Sequence, residues 1–333
     1  MQLENVTRPA LQAYLQQAHW LPSGRTIDQI NVAGEGNMNF TRRVTLDDGS
    51  SLILKQSVPY VARYPSIPAP AGRLLSEVAF YRATAGSPTV SARLPKLLHV
   101  DPALRLAAFE DLGASQDLSS IYAGVPLSDA DCAELLGWLS ALHALSGSAA
   151  SGTLTEQRGV LANREMRALN HAHMFAIPLQ TALAPDANTF TPGLAVSAQA
   201  LRADAGYCDR VEQLGQRYLA DGEHLLHGDF YPGSWLRSAS GIKVIDAEFA
   251  FFGCAEFDAG VFMAHLLLAQ MPLSQVKQAL RHYHAPARFD MDLAHGFAGV
   301  EVMRRLLGVA QLPLPLGLAQ KTDLLALSQE LVN

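Results

Sequence analysis

Asp229 and Asp246 are the acids in this sequence whose surroundings suggest chemistry. Asp229 lies in the turn-rich run Leu226-His227-Gly228-Asp229-Phe230-Tyr231-Pro232-Gly233-Ser234-Trp235. Asp246 follows 17 positions later, at the end of an apolar strand signal over 242–245, with Glu248 two residues beyond it. An acid in a His-Gly-Asp turn, paired with an acid at a strand end, suits phosphoryl transfer. Asp229 would take the proton of an attacking hydroxyl. Asp246 and Glu248 offer the hard oxygens that Mg²⁺ prefers, one or two carboxylates completed by phosphate and water. Taken singly, Asp229 would be a turn or capping aspartate and Asp246 with Glu248 a pair of acids in a turn. His227 is expected to orient the turn through backbone bonds rather than to carry protons.

Lys55 is one of five lysines and follows the apolar residues Leu52, Ile53 and Leu54. A lysine there must either reach solvent or meet an anion. Glu77, on the helix predicted next, could pair with it and aim it at phosphates. Ahead of both, Gly34 and Gly36 occupy a turn before the first hairpin, where bare backbone amides can approach phosphate oxygens. A Gly-x-Gly turn is a weak signal alone and gains weight from its position before Lys55. Arg304 and Arg305 are adjacent within a helical apolar pattern. Neighbours on a helix diverge by about 100°, so one of the two is expected to face any single pocket. The pairs His171/His173 and His282/His284 lack helical metal spacing and read as surface features.

These residues need elements to hold them. Residues 40–46 and 51–56 flank Asp47-Asp48-Gly49, a hairpin signal. A helix over 73–85 places Leu74, Leu75, Val78 and Tyr81 on one face. A second hairpin is predicted from 97–100 and 104–110, ending in Glu110-Asp111-Leu112-Gly113, a plausible hinge. Beyond it the helical period dominates. Ser128 and Asp131 form a capping-box signal ahead of a stripe of Cys132, Leu135, Leu136, Leu139 and Leu142. Residues 163–176 and 194–219 are further helix candidates. Strand signals return at 235–236 and 242–245, and helices are expected to the end. The fold class is therefore α+β: a small β-rich lobe, residues 1–112, then a larger helical lobe, residues 113–333.

Composition narrows the partners. Hydrophobic residues make up 49% and charged residues 17%, enough apolar material for a large core. A net charge of −6 argues against nucleic acid or an acidic membrane surface as the main partner. The first residues show no signal-peptide pattern, and the longest apolar run, 260–271, contains His265 and is too short to span a bilayer. Cys132, Cys208 and Cys254 have neither disulfide nor zinc spacing and are expected to be buried thiols in a cytoplasmic protein.

Four stretches carry a resemblance: Gly36-Asn37-Met38-Asn39; Lys55 to Val61; Asp246 to Gly253 with Phe257-Asp258; and Gly299 to Gly308. Together they resemble the kinase-like aminoglycoside phosphotransferase and choline kinase family, and within it the 5-methylthioribose kinases, which carry Asp-x-Glu as their metal motif. The likeness runs from about residue 30 to residue 310. It implies a two-lobed protein-kinase-like fold with ATP and Mg²⁺. Gly34, Gly36, Asn37 and Lys55 would serve ATP, with Glu77 orienting Lys55, and the backbone of Glu110, Asp111 and Leu112 would take adenine. Asp229 would activate the acceptor hydroxyl. Asp246 and Glu248 would hold magnesium, with Ser234 in the metal-loop position, and Arg304 or Arg305 would bind the acceptor. The acceptor implied is a small thiomethyl pentose. Runners-up are an aminoglycoside, choline or another amino alcohol, or a nucleotide-binding pseudokinase. A homodimer stays open. After Val61 the chain lacks the tryptophan expected of the family.

Overall fold

The computed structural model describes residues 1–34, 36, 38–147 and 151–333. Helix α1 (Arg8–Gln17) precedes strands β1 (Ile27–Val32), β2 (Phe40–Leu46) and β3 (Ser51–Gln56), then the small hairpin β4 (Tyr60–Val61) and β5 (Tyr64–Pro68). Helix α2 (Arg73–Thr84) and the single turn α3 (Pro88–Ser91) lead to β6 (Leu97–Asp101) and β7 (Leu106–Glu110). Five of these strands form one antiparallel sheet in the order β1-β2-β3-β7-β6.

Alternation along the strands sorts this sheet into two faces. Leu52, Leu54, Leu106 and Ala108 point to a small core under α1, built with Leu11, Leu15 and Trp20. Ile53, Ala107 and Phe109 point the other way, to the main core with Leu74 and Val78 of α2. Lys55 shares that second face, opposite Thr41 on one side and the small Ala107 on the other. Strand period therefore delivers the lysine beneath α2. The expected hairpins and helix are all present, while α1 and β1 were not anticipated.

The chain leaves β7 through Asp111 and Gly113, whose φ of +68° suits glycine. Strand β8 (Gln116–Asp117) follows, then α4 (Asp129–His143), which starts with the expected capping box between Ser128 and Asp131. After α5 (Ser151–Gln157), α6 (Arg164–His171) is shorter than the predicted 163–176, because Asn163 adopts φ +44° outside the helix and residues Ala172–Ala176 widen into a π turn. The predicted helix over 194–219 is two helices, α7 (Leu194–Ala203) and α8 (Ala205–Leu219). Asp204 breaks it: its backbone is extended, and its carboxylate accepts from the Tyr207 amide as the cap of α8. An aspartate inside a periodic pattern was such a cap signal.

Two short pairings then carry the site. β9 (His224–Leu226) pairs with β12 (Phe251–Gly253), and β10 (Trp235–Ser238) pairs with β11 (Gly241–Val244) and with β8. Helices α9 (Glu256–Leu268), α10 (Leu273–Ala279), α11 (Met291–Leu307) and α12 (Leu318–Val332) complete the chain, with α9 buried along its whole length. Among the described residues no helix is long and apolar enough to cross a membrane. Cys132 is buried as expected, whereas Cys208 and Cys254 are only half-buried; all three are free thiols.

Candidate active site

Pairing of β9 with β12 brings the Asp229 turn beside the segment that contains Asp246 and Glu248. Gly228 makes the turn possible. Its φ is +82°, and a Cβ there would lie 2.2 Å from the Phe249 carbonyl oxygen. The turn is fastened from below by Asp258 of α9, fully buried, which accepts from the His227 amide at 2.7 Å and the Gly228 amide at 3.0 Å. Asp258 in turn meets His143 Nε2 at 3.3 Å. His227 behaves as anticipated: its Nε2 bonds the Ile245 carbonyl at 2.9 Å, tying the turn to the strand ahead of Asp246.

Asp229 keeps 20% side-chain exposure. Burial raises its pKa above the ordinary carboxylate value; Arg305 and then Arg304 oppose that rise, and Glu301 adds to it. Arg305 Nη2 stands 3.3 Å from Asp229 Oδ1, and its guanidinium lies 4.8 Å from the centre of the Tyr231 ring.

The two arginines do not divide between pocket and solvent. Glu301, one helical turn earlier on α11 and fully buried, takes Arg304 Nη1 on one oxygen at 2.9 Å and Arg305 Nε on the other at 2.6 Å. Spacings of three and four residues put all three on one helix face. Burial works against the Glu301 charge, yet the two guanidiniums hold it well below the usual carboxylate range. Behind it, His265 Nε2 lies 3.1 Å from Glu301 and its Nδ1 lies 2.6 Å from the Tyr122 hydroxyl. Burial pushes His265 down to about 4, so it is a neutral imidazole at physiological pH. Arg304 Nε is buried with no hydrogen-bond partner among the described residues.

Lys55 Nζ reaches Glu77 at 2.7 Å and Asp246 at 2.5 Å. The approach to Glu77 Oε2 is poorly aligned for a hydrogen bond and is chiefly ionic. Burial drives Glu77 upward to about 7, whereas the surrounding carboxylates hold Lys55 protonated against the burial that disfavours its charge. The lysine has two anions and stays charged, so an ion pair to Glu77 is the state the contact favours near neutrality. Asp246 sits at φ +64° with 43% of its side chain exposed.

Glu248 is buried and raised by that burial, with Lys55 and Arg73 pulling it back. Its Oε2 accepts from Asn39 at 2.7 Å and lies 3.4 Å from Arg73 Nε. Asn163 fixes the backbone around it by donating to the Glu248 and Ala250 carbonyls at 2.9 and 3.0 Å. Asp246 and Glu248 are thus each held through one oxygen, leaving the other for a ligand. Two hard oxygen donors in this state fit Mg²⁺. Among the described residues no group of three or more His, Cys, Asp or Glu side chains is arranged to hold a metal by itself.

Several predicted residues have other duties. Ser234, almost fully buried, donates to the Asp229 carbonyl at 3.2 Å and so braces the turn. Asp111 binds Arg43 and Ser51, and Glu110 accepts from the Lys96 amide at 3.1 Å; both side chains fasten the hinge, leaving only its backbone for a ligand. Gly34 and Gly36 line a cleft with Asn39, Thr41 and Arg63. Asn37 lies outside the described residues. Of the histidine pairs, His284 is exposed as expected, whereas the other three are half-buried. His171 stacks on Phe175, His173 is half-buried near Arg304, and His282 is half-buried 2.9 Å from Asp129.

Methylthioribose kinase 1 of Oryza sativa subsp. japonica is 28% identical over 276 residues, 78% of this chain and 61% of that protein. The methylthioribose kinase of Bacillus cereus (strain G9842) is 26% identical over 327 residues, covering 83% of this chain and 78% of its own length. In sequence, the chain is similar to methylthioribose kinases. No family model matches it. Among solved structures, spectinomycin phosphotransferase in complex with ADP and spectinomycin superposes with a TM-score of 0.54 at 13% identity, covering 98% of both chains. Macrolide 2'-phosphotransferase type I gives a TM-score of 0.50 at 16% identity over 90% of each. The predicted kinase-like fold and family resemblance are therefore borne out. The chain spans about three-fifths of the length of the rice protein it matches.

Arg73, Asn163, Asp258 and Glu301 received no role from the sequence. Glu301 was within reach, since an acid followed by arginines at three and four residues is a helix-face pattern. Asp258, an acid at the start of an apolar helix, was a fainter signal. Arg73 and Asn163 act on segments far away in sequence, and nothing local announces them.

Proposed function

We propose that this protein is an ATP- and Mg²⁺-dependent small-molecule kinase that phosphorylates a sugar-like hydroxyl, with 5-methylthioribose the leading acceptor. The observation that carries the reading is the pair of opposed cation–acid contacts, Lys55 with Asp246 on one side and Arg305 with Asp229 on the other. Tyr231 is close enough to both acids that each raises its hydroxyl pKa after burial has done so.

Lys55, aimed by Glu77, would donate to the nucleotide phosphates, and the amides around Gly34, Gly36 and Asn37 would cover them. The backbone of 110–112 would take adenine. Magnesium held by Asp246 and Glu248 would neutralise triphosphate charge. Asp229 Oδ would accept the proton of the acceptor hydroxyl as its oxygen bonds the γ-phosphorus and the bond to the β-phosphate oxygen breaks, releasing ADP. Burial raises the Asp229 pKa and Arg305 opposes that rise, so the carboxyl is more basic than a free carboxylate, as a proton acceptor should be. We also divide the chain at residues 110–113 into lobes of 1–112 and 113–333, and three free thiols support a reducing, cytoplasmic setting.

The charges facing the acceptor side favour a neutral sugar over an aminoglycoside or choline. Asp229 and Glu301 are balanced by Arg304 and Arg305, so no surplus of acids awaits a cation. The test is ADP formation across a panel of hydroxylated metabolites including 5-methylthioribose, an aminoglycoside and choline. Acceptor-dependent, Mg²⁺-dependent ADP with the thiomethyl pentose is expected. Turnover only with cationic acceptors would reassign the substrate, and none with any acceptor would favour a pseudokinase.

A further inference from the structure

Arg73, at the start of α2, is a fully buried arginine that the proposed chemistry does not use. Its guanidinium meets four backbone carbonyls from three segments. Nη1 donates to Val58 at 2.6 Å and Pro70 at 2.9 Å; Nη2 donates to Tyr60 at 3.2 Å and, in a still shorter contact, to Met38. Met38 ends the glycine turn, and Val58 to Pro70 brackets the β4–β5 hairpin. The remaining nitrogen, Nε, donates to Asn39 Oδ1 at 2.9 Å and stands 3.4 Å from Glu248 Oε2. Asn39 closes the triangle by donating Nδ2 to that same Glu248 oxygen at 2.7 Å.

A buried guanidinium is tolerated only when its donors and its charge are met. Here the charge is met by Glu248 and the donors by the loops that flank the nucleotide side of the sheet. A planar fork with fixed directions can do this, whereas a lysine, with one point of charge, cannot span the same set. A residue that only held α2 in place would need none of the Glu248 contacts, and one that only neutralised Glu248 would need none of the loop carbonyls.

We propose that Arg73 is a positioning residue that joins the metal side of the site to the phosphate-covering loop. With Asn39 it holds the Glu248 carboxylate in one orientation, and with its other nitrogens it holds the end of the glycine turn and the β4–β5 hairpin over the cleft. Metal ligation and loop closure then share one support, so magnesium should tighten nucleotide binding through it. The inference rests on the phosphotransferase reading.

The experiment is equilibrium binding of a non-hydrolysable ATP analogue by calorimetry, with and without Mg²⁺, on the full chain and on Arg73→Lys and Asn39→Ala, alongside thermal melting. The quantity read is the ratio of the two dissociation constants. A ratio about 10- to 100-fold smaller in both variants is expected, in the range found when a partner behind a metal ligand is removed. An unchanged ratio with only a lower melting temperature would overturn the proposal and leave Arg73 a packing residue. Should Arg73→Lys fail to fold, Asn39→Ala decides alone, because it removes the hydrogen bond that orients Glu248 and leaves Arg73 with its carbonyl contacts in place. Unmodified protein that binds no nucleotide under either condition would instead defeat the phosphotransferase reading itself.

Discussion

At the scale of single residues, the surroundings of Asp229 are a balance between two acids and two arginines. Asp229 is pushed up by burial and held down by Arg305, so its charge state depends on a neighbour 3.3 Å away. Asp229→Asn should leave nucleotide binding near normal and lower kcat by roughly 10²–10⁴, the usual loss of a proton acceptor; steady-state kinetics with a parallel binding titration would check it. Arg305→Leu removes the cation that favours the ionised form. The Asp229 carboxyl should then titrate higher, and the acid limb of kcat/KM should move to higher pH, activity being lost as pH falls through that limb. A limb that stayed in place would mean that another group sets it. Glu301 belongs to the same balance, since without it two guanidiniums would crowd one face of α11 with no shared anion.

At the scale of elements, the site depends on a three-residue strand pair and one glycine. β9 and β12 are too short to be stable by themselves, and Asp258 compensates by accepting two amides from the turn that follows β9. Asp258→Ala leaves those buried donors unmet and should destabilise the protein by about 1–3 kcal/mol per orphaned group. Gly228→Ala adds a Cβ against the Phe249 carbonyl at a backbone angle of +82° and should cost at least ~1–3 kcal/mol of strain. Chemical denaturation of both variants is the measurement, and stability equal to that of the parent would remove the turn from the account. Most elements were legible in the sequence, because strand alternation and helix stripes are local signals. The break at Asp204 was missed since the apolar period continues through it, and the β9–β12 pair was missed since its partners lie 25 residues apart with no pattern of their own.

At the scale of the whole molecule, Lys55 is the tie between the five-stranded sheet and the segment following β11. It contacts an acid from α2 and another 191 residues further along the chain. Lys55→Met would strand Glu77 in the interior, at a cost of about 3–5 kcal/mol if it remained charged. The sign with pH follows from Glu77. Its folded pKa already lies above the ordinary glutamate value, at about 7, and losing the lysine raises it further. An acid raised on folding loses stability as pH rises from its unfolded value toward its folded one. The variant should therefore be closer to the parent near pH 5 than near pH 8, and Lys55→Met combined with Glu77→Gln should recover part of the loss. Melting curves across pH would decide, and a deficit independent of pH would show that Glu77 is not the group left unpaired.

What the residue order determined alone was the β-then-helix division, the hairpins that flank the sheet turns, and the short list of acids and cations fit for phosphoryl transfer. These rest on periodicity, turn chemistry and residue type, which are read over a few positions. What only the tertiary structure decided was which of those groups meet. Arg305, rather than Arg304, touches Asp229, and Arg73 ties Glu248 to the loops near the glycine turn. Such contacts join segments tens to hundreds of residues apart. Their energy comes from burial of charge against a specific partner, a quantity that no local stretch of sequence contains.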